Sequence, residues 1–226
     1  VLSERFADTL NRLQNAATEA RRPVPTLVAV SKFQSAEAVA ELADAGQQVF
    51  GENYVQEAQA KLATLGRPGL IWHLIGHLQS NKAAMAAELF DWVQTVDRPK
   101  LVAALAAARP PGRGPLNVLI QVNIDDESSK HGCAPGEIGA LAALVADAPT
   151  LALRGLMAIP APHENSALRR AAFAKMKGLF DALAAAHPGV DTLSMGMSDD
   201  CALAVAEGAT MVRVGTALFG ARPAKP

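Results

Sequence analysis

Apolar residues recur at helical spacing from the start of the chain. Leu2, Phe6, Leu10, Leu13 and Ala17 fall on one face, which predicts an amphipathic helix stopped by Arg21 to Pro25. The pattern then changes to short β-branched or apolar runs, each followed by a few polar or glycine residues and an alanine-rich helical stretch. The runs are Thr26–Lys32, Gln48–Asn53, Ile71–Gly76, Trp92–Val96, Asn117–Asn123, Leu151–Ile159, Thr192–Gly196 and Met211–Gly215. Strands separated by helices are joined by crossovers and so run parallel, and eight of them predict an α/β fold: a (β/α)8 TIM barrel with an extra N-terminal helix. An open doubly wound sheet uses the same alternation, but no Gly-x-Gly-x-x-Gly opens a helix, so the barrel is preferred. The stretch "ARPPGRGP" reads as a loop before the fifth strand, and no shift in composition marks a boundary; residues 1–226 are expected to form one domain.

Composition narrows the partners. Half of the 226 residues are apolar, which permits a sizeable core. The formal net charge is -1 and there is no basic stripe, so the electrostatic footprint of a nucleic-acid binder is missing. The opening "VLSERFADTLNRLQNAATEA" carries charges throughout, and no run reaches the roughly 18 apolar residues of a membrane span, so neither a leader nor a membrane partner is expected. Cys133 and Cys201 lack the spacing of a zinc site or a disulfide framework, which favours a reducing, cytoplasmic setting.

Side-chain parity brings polar residues to one place. In a barrel alternate side chains point inward, and sites form where the carboxyl ends of the strands meet their loops. If Val28 and Val30 face in, so does Lys32; if Val118, Ile120 and Val122 face the helices, Gln121 and Asn123 face in. Asn53, His73, Ser194 and Arg213 share that interior by the same count. Any one of them is equally well a satisfied core or loop residue; their convergence is the signal. Arg213, a permanent cation in the valine-rich "TMVRVG", needs an acceptor there.

The turns after the seventh and eighth strands, "LSMGMSDD" and "RVGTALFG", add a second signal. Gly196 permits close backbone approach, Ser198 is placed to cap a helix from about Asp199 to Glu207, and Gly215-Thr216 opens a further helical turn. Taken singly, Ser198 is an ordinary N-cap. Two helix starts in the seven-eight position of a barrel point to a phosphate.

The segments "AVSKFQ", "FGENYVQEAQAK", "WHLIGHLQSNK", "LNVLIQVNIDDESSKHG", "LRGLMAIPAP", "LSMGMSDD" and "MVRVGTALFGAR" closely resemble the pyridoxal phosphate homeostasis protein family, almost end to end. The resemblance implies a barrel like the N-terminal domain of alanine racemase and pyridoxal 5′-phosphate as cofactor. It implies a Schiff base at Lys32, phosphate contacts from Ser198, Gly215 and Thr216, and Arg213 facing the pyridine nitrogen. A lysine amine must be uncharged to attack an aldehyde, and burial at a strand end favours that form. An arginine cannot keep the pyridine nitrogen protonated as a carboxylate does, which weakens the cofactor as an electron sink.

The related racemases take a second base, a tyrosine, from an additional C-terminal domain. This sequence ends at Pro226, and its only tyrosine, Tyr54, follows the second strand. The expectation is therefore a carrier that holds the cofactor, passes it to apo-enzymes and works as a monomer; a weak racemase or a Schiff-base lyase is the alternative.

Other residues carry weaker readings. Met157 and Met195 end strands, where they pack beside the cofactor ring or simply fill the core. Lys130 matches a family lysine implicated in cofactor interaction, while Gln34 stands where many relatives have another lysine. His73 and His77 have the spacing of helical zinc ligands, but a strand ends between them at Gly76, so they read as a pocket-wall or core residue and a loop contact. Asp125, Asp126 and Glu127 read as a solvated loop, and Asp199 and Asp200 as complements to a helix dipole.

Overall fold

The computed structural model describes residues 1–127 and 131–220. Eight parallel strands, β1 (Thr26–Val30), β2 (Val49–Glu52), β3 (Ile71–Leu74), β4 (Trp92–Val96), β5 (Leu116–Gln121), β6 (Leu151–Met157), β7 (Thr192–Ser194) and β8 (Met211–Val214), close into a barrel in chain order. β1 completes the ring by pairing with β2 on one side and β8 on the other, with Val28 opposite Arg213. Seven of the eight expected runs contain their strand, and β5 begins one residue ahead of its run, at Leu116; most strands end sooner than expected, because there the chain bends into the loops that build the site.

Helices surround the ring: α1 (Leu2–Ala20), α2 (Ala36–Asp44), α3 (Val55–Leu65), α4 (Ala83–Leu89), α5 (Pro99–Ala108), α6 (Ile138–Ala146), α7 (Ser166–Ala186), α8 (Cys201–Ala206) and α9 (Thr216–Phe219). Local chemistry starts several of them. The Ser35 hydroxyl accepts from Ala38 N–H at 3.2 Å, the Asn165 amide oxygen accepts from Ala167 N–H at 2.8 Å, and Pro99 opens α5, where a missing N–H costs nothing.

α1 forms as expected, but its buried stripe is Phe6, Thr9, Leu13 and Ala17, with Leu10 exposed. Spacing admits either position 9 or position 10 beside Phe6 and Leu13; packing turns position 9 inward, and the Thr9 hydroxyl is satisfied by donating to the Arg5 carbonyl at 2.8 Å. α1 packs on α8, α9 and α2.

Two apolar layers result. Val118, Ile120 and Val122 join the helix-facing core, while Val28, Ile75, Leu119, Met157 and Met211 stand apart from it and fill the barrel. At the amino end of the strands Arg154 donates to Asp191 through two nitrogens and to Asn117 Oδ1 at 2.8 Å, and lies 4.7 Å above the Trp92 ring. These contacts tie the strand starts together beside a cavity of about 420 Å³. No helix among the described residues is long and apolar enough to cross a membrane.

Candidate functional site

At the carboxyl end of the barrel a cavity of about 280 Å³ is lined by residues from six strand ends, among them Lys32, Asn53, Ser198, Arg213, Gly215 and Thr216. A larger cavity of about 670 Å³ lies beside the amino ends of β3 and β4, the face this architecture uses for stability.

Lys32 sits in the turn after β1, half-buried rather than enclosed. The turn is held from behind by buried charge. The Ser31 hydroxyl donates to Glu52 Oε1 at 2.5 Å, and Lys61 Nζ, on α3, donates to the Ser31 carbonyl at 2.7 Å and to Glu52 Oε1 at 2.6 Å. Glu57 Oε1 accepts from Lys61 at 3.2 Å and from Phe33 N–H at 2.5 Å, fixing a residue whose φ of 63° is left-handed and unfavourable for a bulky side chain. Burial pushes the Glu52 carboxyl up from its ordinary range, against the pull of Lys61 and Ser31.

Asn53 follows β2 at the cavity wall, and its Oδ1 is buried with no hydrogen-bond partner among the described residues. Gly76 makes its position possible: a Cβ there would lie 2.1 Å from the Asn53 carbonyl oxygen. Arg213 heads a buried polar chain across the barrel. It donates to Ser194 Oγ at 2.8 Å and to the Ala158 carbonyl at 2.9 Å; Ser194 donates to Gln94 Oε1 at 2.6 Å; Gln94 Nε2 lies 2.8 Å from His73 Nδ1. Burial lowers the Arg213 pKa to about 10, partly countered by Asp200, so the guanidinium stays charged at neutral pH. Its hydrogen-bond acceptors among the described residues, Ser194 Oγ and the Ala158 carbonyl, are neutral.

The profile of the alanine racemase N-terminal domain matches residues 3–223. The proteins named pyridoxal phosphate homeostasis protein in Escherichia coli K12 and Pseudomonas aeruginosa are 49% and 51% identical to this chain, each over 98% of it and over 97% and 96% of their own lengths. The chain belongs to the pyridoxal phosphate homeostasis protein family. Among solved structures, PipY of Synechococcus elongatus PCC7942 superimposes with a TM-score of 0.88 without PLP and 0.84 with PLP bound, at 40% and 39% identity, covering 97% of this chain and 100% of that one. Alanine racemase of Corynebacterium glutamicum, at 19% identity and a TM-score of 0.69, shares the fold; this chain covers 61% of it.

Lys32, Asn53, Ser198, Arg213, Gly215 and Thr216 come together. Met195 and Gly196 are not in the lining: Met195 is fully buried in the helix-facing core, and Gly196, at φ 98°, gives room to Ala204, whose Cβ would sit 2.6 Å from an added Cβ. The helix after β7 starts at Cys201, so Ser198 does not cap it; its Oγ accepts from Ala217 N–H at 3.4 Å and joins the two turns instead. Asp199 lines the cavity and Asp200 accepts from Met197 N–H at 2.7 Å, both ahead of the helix rather than within its first turn.

Asp125 is half-buried and accepts from Ala161 N–H at 2.5 Å, tying the loop after β5 to the loop after β6, so it is more than a solvated loop residue. His73 is enclosed in the barrel and His77 exposed, so they do not act as a ligand pair. Tyr54 is exposed, its ring 5.7 Å from that of Phe33. Lys130 lies outside the described residues. Sequence reasoning missed Gln94, which links two residues whose inward direction parity gives, and the apolar wall of Ile75, Ile159 and Met197. Parity also brings Gln94 inside; nothing in "WVQTV" distinguishes it from a solvent-facing glutamine.

Proposed function

We propose that the chain binds pyridoxal 5′-phosphate in the cavity at the carboxyl end of its barrel, holds it on Lys32 and releases it to apo-enzymes, acting as a monomeric carrier rather than a catalyst. The observation that carries this reading is a lysine amine and a buried guanidinium with neutral partners facing one cavity beside the first turn of α9. The PipY structure with PLP bound supports it.

The residues present suit the group. Asn53 offers an unused buried acceptor, the wall formed by Val30, Ile75, Ile159 and Met197 suits an aromatic ring, and Ser198, Gly215 and Thr216 sit where helix-start amides favour an anion. When bound, pyridoxal phosphate supplies an aldehyde that an uncharged amine attacks, and a ring able to accept electrons. Lys32 presents the amine from a turn locked by Glu57 and Lys61. Arg213 donates hydrogen bonds and has no proton site to offer back, so a ring nitrogen facing it stays unprotonated and carbanion chemistry is weakly supported. Apart from Lys32 and Arg213, the titratable group in the described lining is Asp199, which favours holding over turnover.

Borohydride reduction followed by peptide mass spectrometry tests the site. The pyridoxyl adduct is expected on Lys32, and Lys32→Ala is expected to lose both the adduct and the visible absorbance of the loaded protein. An adduct confined to another lysine overturns the assignment, and steady conversion of an added amino acid that disappears with Lys32 overturns the carrier reading in favour of an enzyme.

A further inference from the structure

Outside the cavity, three loops bring metal-binding groups to one point. His77 follows β3, Asp97 follows β4 directly, and His131 lies in the loop after β5; one ligand atom from each lies within 4.8 Å of the others. The two imidazoles are stacked, with ring centroids 3.7 Å apart and planes 14° from parallel. Neither ring has a hydrogen-bond partner among the described residues. Two imidazoles in face-to-face contact repel each other if both are protonated. Partial burial, His131 and Arg98 lower the His77 pKa against the pull of Asp97.

The carboxylate holds this arrangement together. Asp97 Oδ2 accepts from Gly132 N–H at 3.2 Å, the residue next to His131. Its Oδ1 accepts from Arg98 at 2.7 Å, and Arg98 in turn donates to the Leu78 carbonyl, next to His77, at 2.7 Å and to Ser80 Oγ at 3.3 Å. The β5 loop is anchored beside it, with Cys133 N–H donating to the Gln121 carbonyl and Asn123 N–H to the Cys133 carbonyl, each at 2.9 Å. Outer contacts of this kind orient metal ligands, although the Arg98 charge works against a cation. Two imidazoles and one carboxylate suit zinc-class divalent ions, with a position left for water.

We propose that His77, Asp97 and His131 form a binding site for a zinc-class divalent metal ion that ties the loops after β3, β4 and β5 together at the barrel mouth. Tetrahedral zinc places its ligand atoms about 3.3 Å apart, so the exposed imidazoles turn out of their stack to bind. The site is separate from Lys32 and does not depend on the cofactor.

Calorimetric titration of zinc into the full-length chain, without an affinity tag and in phosphate-free buffer, tests this. Cobalt(II) absorbance reports the geometry. One equivalent is expected to bind and to raise the melting temperature, in the wild type and in Lys32→Ala alike. His77→Ala and His131→Ala, both at exposed positions, are each expected to weaken binding by at least about tenfold. No binding up to millimolar zinc overturns the proposal. So does binding that survives both histidine substitutions, or binding lost with Lys32→Ala, which assigns the metal to the bound cofactor.

Discussion

The Ser194 hydroxyl sets the direction of the polar chain inside the barrel. It accepts from Arg213 and so donates to Gln94 Oε1, which leaves Gln94 Nε2 to donate to His73 Nδ1. His73 is therefore the neutral tautomer with its proton on Nε2, and burial lowers its pKa to about 3. An unfolded histidine titrates near 6.5. Below that pH the unfolded chain takes up a proton that the folded one refuses, so the contribution of His73 is complete above about pH 6.5 and declines as pH falls towards 3. Urea denaturation at pH 7 and pH 5 is expected to show wild type losing about 2 kcal/mol more than His73→Gln over that interval. Equal losses would mean that the folded state admits the proton. At this scale alternation made the inward direction of His73, Ser194 and Arg213 legible. Their partners were not legible, because a hydrogen bond between β4 and β7 depends on closure of the ring, which no local pattern encodes.

The turn after β1 depends on a neighbouring element. Glu57 and Lys61 stand four apart on α3, a spacing that on sequence alone reads as an exposed helical ion pair worth a few tenths of a kcal/mol. Here Lys61 is buried and reaches Glu52, on the helix-facing side of β2, so the pair becomes a clamp on Ser31 and Phe33 on either side of Lys32. The run boundaries were readable from composition. The rotation of α3 that turns Lys61 inward was not, since it follows from packing Val55 and Ala58 against the barrel. Lys61→Met strands the buried Glu52 and is expected to lower stability by about 3–5 kcal/mol, while Glu52→Leu with Lys61→Met recovers most of the loss. Both variants are expected to retain pyridoxal phosphate less well than wild type on dialysis, because neither fixes the turn. If the double variant regains stability and also full retention, the clamp serves the fold alone.

Across the whole molecule the two ends of the barrel differ. Arg154, Trp92, Asp191 and Asn117 tie the strand starts together beside a cavity of about 420 Å³, whereas the cavity lined by Lys32 and Arg213 opens among the loops at the other end. The seventh and eighth turns of that mouth rest on α8 and α9, short helices of 6 and 4 residues that hold little structure by themselves. α1 covers both. It buries Phe6, Leu13 and Ala17 against the core, and Arg12 donates to the Ser198 carbonyl at 3.4 Å. The helix that precedes the barrel in sequence thus acts as the outer support of the cavity wall built by these two turns, a relation hidden in the chain order because α1 and Ser198 lie at opposite ends. Leu13 is 1% exposed, and Leu13→Ala is expected to cost about 2–5 kcal/mol in urea denaturation. Under native conditions it is also expected to speed the loss of pyridoxal phosphate absorbance on dialysis, because α8 and α9 lose their backing. Leu168→Ala, at a position 53% exposed on α7, is expected to change neither. Leu13→Ala that is destabilised yet retains the cofactor as well as wild type would show that the two turns stand without α1.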